Sequence, residues 1–148
     1  MKSSLFALFA LVIIAFACTK DKFTTEPVVT VKSISPSVVF SGDIITMKGK
    51  YTDLEGDIDS ILVVYKWYNG ATVVLKDTFR YSFAPLDVPP KTQEADINVT
   101  FTYVNTTNPP YLPGVPKDTT ATLGLILKDK ASHRSNYSES NQIRLKKP

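Results

Sequence analysis

The chain has 148 residues, a formal net charge of +3, and a single cysteine and a single histidine. That length suits one domain with a workable core. Its positive charges are scattered, with no basic face for nucleic acid, and one Cys with one His cannot make the multi-ligand shell of a zinc or blue-copper centre.

In chain order, Lys2 gives a positive start and Leu5 to Phe16 is an unbroken apolar run, closed by Ala15-Phe16-Ala17-Cys18. This is the three-part layout of a secretory signal peptide. The run falls short of the roughly 20 apolar residues that cross a bilayer, and the polar Thr19-Lys20-Asp21-Lys22 follows at once. A small residue, a cysteine and then polar residues resembles the lipobox of bacterial lipoproteins. The resemblance covers residues 1–22. It implies that 1–17 are a removed signal peptide, that Cys18 carries the lipid (palmitate among its acyl chains), and that 18–27 form a tether. Thr19, where inner-membrane lipoproteins of Gram-negative bacteria often have Asp, implies by the same resemblance an outer-membrane location.

From Val28 onward short β-branched and aromatic runs alternate with Gly, Pro, Asn, Asp and Ser, and no helical periodicity appears. Seven strands are predicted, over roughly 28–34, 43–52, 60–68, 71–83, 95–104, 121–129 and 140–146. Period two assigns their faces. Ile45, Met47, Gly49 and Tyr51 share one side, as do Ile61, Val63, Tyr65 and Trp67, then Ile97, Val99, Phe101 and Tyr103, then Leu123, Leu125 and Leu127, and finally Ile143 and Leu145. One apolar face per strand means antiparallel sheets packed on one side. Asn69-Gly70 predicts a type I′ hairpin, and Trp67 a core anchor.

Seven such strands predict an all-β, immunoglobulin-like or fibronectin-III-like antiparallel β-sandwich over 28–148. Ser33-Ile34-Ser35-Pro36, Gly42-Asp43 and Lys48-Gly49 resemble the opening of IPT/TIG-type Ig-like domains. Asp53-Leu54-Glu55-Gly56-Asp57-Ile58-Asp59 is more similar to a loop of cadherin- or PKD-type domains. Both resemblances imply the same fold.

Asp53, Glu55, Asp57 and Asp59 stand between two strands, and four carboxylates could supply part of the six to eight oxygens that calcium takes. The competing reading is a solvated turn whose Asp and Gly serve the backbone. His133 lies on a polar loop and reads as surface, with no catalytic triad in prospect. The longest irregular stretch, Asn105 to Pro116, carries Pro109, Pro110 and Tyr111. Its prolines lower the entropy lost on binding, so Tyr111 is a candidate platform for a sugar or peptide, against the plainer reading of a packed lid. The expected function is a lipid-anchored, non-catalytic binding or structural module of the cell envelope. It would meet an envelope protein or a glycan, and a calcium-stabilised adhesion or carbohydrate-binding domain is the alternative. A hydrolase is disfavoured.

Overall fold

A computed structural model describes residues 23–82, 91–104 and 110–148. Cys18 and Pro109 therefore lie outside the described residues. The strands are β1 (Val28–Ser35), β2 (Val38–Val39), β3 (Ile44–Thr52), β4 (Ile58–Asn69), β5 (Thr72–Ser82), β6 (Glu94–Tyr103), β7 (Tyr111–Leu112), β8 (Thr119–Asp129), β9 (Ser138–Glu139) and β10 (Ile143–Leu145), with no helix among the described residues. One sheet runs β1-β3-β6-β7. The other runs β2-β10-β8-β4-β5, with β9 beside β8. β1, β3 and β6 take the places of strands A, B and E of an immunoglobulin-like sandwich, while β10, β8, β4 and β5 take those of G, F, C and C′.

All seven expected strands are present. The three added ones are two-residue pieces too short to show a period, and β2–β10 and β6–β7 pair in parallel. The expected faces form the core: Ile45, Met47 and Tyr51, Ile61, Val63 and Tyr65, Phe101 and Tyr103, and Leu123, Leu125 and Leu127 are all buried. Each such side chain contributes about 1.5–3 kcal/mol through removal from water.

Two sequence expectations are corrected. Trp67 is on the core side of β4 but only partly buried, because it lies close to the hairpin turn at the end of the sheet; the largest fully buried side chains are Tyr51, Tyr65 and Tyr103. The hairpin turn also sits one residue later than the Asn-Gly signal. Asn69 pairs with Thr72, so Gly70 and Ala71 are the central residues. Gly70 has φ 60°, and Ala71 is not among the residues with positive φ. Glycine at the first central position alone is the type II′ pattern, not I′.

The two long sides of the sandwich differ. Along one, Asn136 binds the β1 backbone as a further strand would: Val29 N donates to its Oδ1 at 2.9 Å and its Nδ2 donates to Val29 O at 2.9 Å. Val31 N donates to Ser138 Oγ at 2.9 Å. These bonds stitch β1 of one sheet to the segment that flanks β8 of the other. Along the opposite side, β5 and β7 are the facing edges. At one end, Leu54 N donates to Thr24 O, Asp53 N to Gln93 O, and Lys130 N to Asp57 O, which gathers three loops and the start of the described chain. At the other end, Lys117 Nζ donates to Asn69 Oδ1 at 2.7 Å.

Candidate functional site

The open side carries a groove of about 620 Å³ lined by Asp77, Thr78, Phe79, Arg80, Tyr81, Pro110, Tyr111 and Pro113. Its floor is aromatic. Phe79 and Tyr81 lean on Phe101 of the facing sheet, with ring centroids 5.4 and 6.3 Å away. Its far wall is held by the backbone, since Thr102 N donates to Pro110 O and Val104 N to Leu112 O. Leu112 is driven into the core, so its neighbour Tyr111 must face out, and it is 40% exposed. Burial pushes the Tyr81 hydroxyl up to about 12, and that oxygen has no hydrogen-bond partner among the described residues. An apolar trough with a few polar groups at its rim is the usual form of a small binding site.

Tyr111 and Pro110 thus lie together, as a binding segment would require. The β5 half of the groove was absent from the sequence reading, although Phe79 and Tyr81 stand at alternate positions of an unbroken strand and carried that signal.

The acidic loop is arranged differently from its sequence. Asp53 and Asp57 come together with Asp129, each offering a carboxylate oxygen within 4.8 Å of the others. Asp53 and Asp129 are buried. Glu55 is exposed, and Asp59 turns away to pair with Arg80 at 3.0 Å. The cause is a register shift in the β4–β8 ladder between Ile58 and Ser60. A bulge breaks strict alternation, so Asp57 and Asp59 do not share a face. Asp129 was readable from topology alone, because the strand it ends points toward the same end as the 53–59 loop. Gly56 closes the loop at φ 64°, and a Cβ there would sit 2.8 Å from the Lys91 Cα, so only glycine fits.

Within the cluster, Asp57 N donates to Asp53 Oδ2 at 3.0 Å. Burial pushes the Asp53 carboxyl above the usual carboxylate range, against backbone hydrogen bonds that lower it. His133 is exposed, as expected, and is also tied to the cluster. Its N donates to Asp129 Oδ1 at 2.7 Å, and its Nδ1 lies 2.8 Å from Asp129 Oδ2. The Asp129 carboxylate, first through that hydrogen bond and then through its charge, raises the imidazole above its ordinary value. A histidine held by a buried acid is two-thirds of a hydrolytic triad, but among the described residues no serine hydroxyl is hydrogen-bonded to His133.

No family model matches the chain, and no curated protein matches it. Solved structures do resemble it, at low identity. An alkylpurine DNA glycosylase of Pseudomonas fluorescens, bound to DNA with an abasic-site analogue, aligns over 83% of this chain at 11% identity and TM-score 0.48; the chain spans 31% of the glycosylase. A Niemann-Pick type C2 protein of the Japanese carpenter ant aligns over 84% of this chain and 98% of its own, at 12% identity and TM-score 0.45. A CARDB domain of Pyrococcus furiosus, in complex with di-metal ions, aligns over 86% of this chain and 100% of its own, at 14% identity and TM-score 0.37.

Proposed function

We propose that this chain is a lipid-anchored, non-catalytic binding module of the Gram-negative outer membrane. In this reading Cys18 carries the lipid, and the groove between β5 and β7 takes an extended partner, a glycan chain of an envelope assembly. The observation that supports it most is the groove itself: Phe79, Tyr81, Pro110, Tyr111 and Pro113 form a trough on the unstitched side, with Asp77 and Arg80 at hand as polar contacts. Aromatic faces pack on the C–H faces of sugar rings, and charged side chains bond their hydroxyls.

The test has two arms. Full-length protein is titrated calorimetrically with cello-, xylo- and maltohexaose and with proline-rich decapeptides. Binding of a hexaose that weakens at least tenfold in Tyr111→Ala supports the reading. Binding of peptides alone would transfer the groove to a protein partner, and no response to any probe would overturn it. Separately, labelled palmitate should enter the wild type and not Cys18→Ser, and equal labelling of both would remove the anchor.

A further inference from the structure

We infer that Asp53, Asp57 and Asp129 form a calcium site that ties the β3–β4 loop to the end of β8 at one end of the sandwich. Three carboxylate oxygens lie within 4.8 Å of one another, the width of a calcium shell whose oxygen ligands stand at about 2.4 Å. One ion among them reaches all three.

The separate observation that asks for a cation is the state of Asp53. It is 0% exposed, and its Oδ1 has no hydrogen-bond partner among the described residues. The Oδ1 of Asp57 is likewise buried and unpartnered. Buried polar atoms are nearly always satisfied, and a buried carboxylate oxygen left bare is costly. No lysine or arginine is ion-paired with any of the three acids among the described residues, and Arg80 is paired with Asp59 instead. His133 meets the cluster at Asp129.

The donors suit a hard cation. All are carboxylate oxygens, and they come from the β3–β4 loop and from the end of β8. Calcium tolerates such irregular shells and completes them with water, whereas magnesium asks for near-ideal octahedral geometry at 2.0–2.1 Å. His133 holds the Asp129 carboxylate at both oxygens, fixing its orientation as outer partners do for metal ligands. Glu55 and Asp59 take no part in the shell.

The experiment uses full-length protein stripped with EGTA, with thermal unfolding followed as calcium chloride is added to 10 mM at constant ionic strength. A dissociation constant of about 10⁻⁴ to 10⁻³ M raises Tm by roughly 4–10 °C, saturably. Magnesium chloride raises it much less. Asp57→Asn and Asp129→Asn abolish the response, while Asp59→Asn and Glu55→Gln retain it. Calorimetric titration of the wild type with calcium gives the same constant and stands even where a variant does not fold. Absence of both the Tm shift and binding heat in the wild type overturns the site. So does a response that survives Asp57→Asn and Asp129→Asn, or one that Asp59→Asn removes.

Discussion

The ring of Tyr137 fills the space over Gly124 that a side chain on β8 would occupy: the Tyr137 hydroxyl lies 2.5 Å, and its Cζ 2.6 Å, from where a Cβ would stand. Glycine in mid-strand is unfavourable by roughly 0.5–1 kcal/mol against alanine, so its presence here answers to the ring. Gly124→Ala is expected to cost about 1–3 kcal/mol by overpacking. In a Tyr137→Ala background the same change becomes neutral or stabilising. Denaturant midpoints of the four proteins check this as a double-mutant cycle, and a cost that persists without the ring would refute it.

Tyr65 and Tyr103 are both wholly buried, yet their hydroxyls have opposite fates. Tyr103 Oη donates to Lys146 O at 2.9 Å and accepts from Val115 N at 3.2 Å, joining β6 to the chain before β8 and to the end of β10. Tyr65 Oη is buried without a partner among the described residues. Losing a bond that leaves a buried N–H unpaired costs about 1–3 kcal/mol, so Tyr103→Phe should destabilise by that amount. Tyr65→Phe removes only an unsatisfied group and should change stability by less than about 0.5 kcal/mol, or raise it. Urea unfolding of the two variants separates them, and equal losses would be against this account.

Glu139 supplies a pH dependence. Its burial pushes the carboxyl up, but hydrogen bonds from Thr122, Lys66 and Tyr137 together outweigh that and leave it below its ordinary 4.5. A carboxyl depressed in the folded state stabilises above its unfolded value, and the contribution is lost as pH falls through the lower folded value. Below pH 4.5 the wild type should therefore lose stability more steeply than Glu139→Gln, with the curves parallel above it. Melting temperatures from pH 7 to pH 3 test the sign.

Arg80 lines the groove while pairing with Asp59, which is outside the acidic cluster. Arg80→Ala should weaken hexaose binding several-fold while leaving stability within about 0.5 kcal/mol, because exposed ion pairs contribute little. Unchanged binding in calorimetry would confine the groove's chemistry to its aromatic residues.

Much of the fold was legible because period two does not depend on tertiary contacts. Ile97, Val99, Phe101 and Tyr103 alternate in sequence and all face the core. What escaped was whatever breaks the period. The irregularity between Ile58 and Ser60 sends Asp59 to Arg80, and no residue type there announces it. The hairpin slid by one residue because Gly70 satisfies either turn type, and a second irregularity between Trp67 and Tyr68 absorbs the difference. Tyr111 could be singled out by its prolines, whereas its partners Phe79 and Tyr81 stand in a strand whose pattern assigns no face. Only the sheet order, which leaves β5 at an edge, puts them on a groove. Asp129 joined the acids across a separation no local pattern spans.

The Asn136 bridge to Val29 makes the two sheets resemble covers bound along one spine, with the groove at the fore-edge. At that fore-edge Phe79 and Tyr81 close on Phe101 of the other cover, so ring packing between the sheets sets the depth of the groove. Amide protons of Val29 and Val31, locked to Asn136 and Ser138, would exchange among the slowest, and those of Tyr111 and the outer edge of β5 among the fastest.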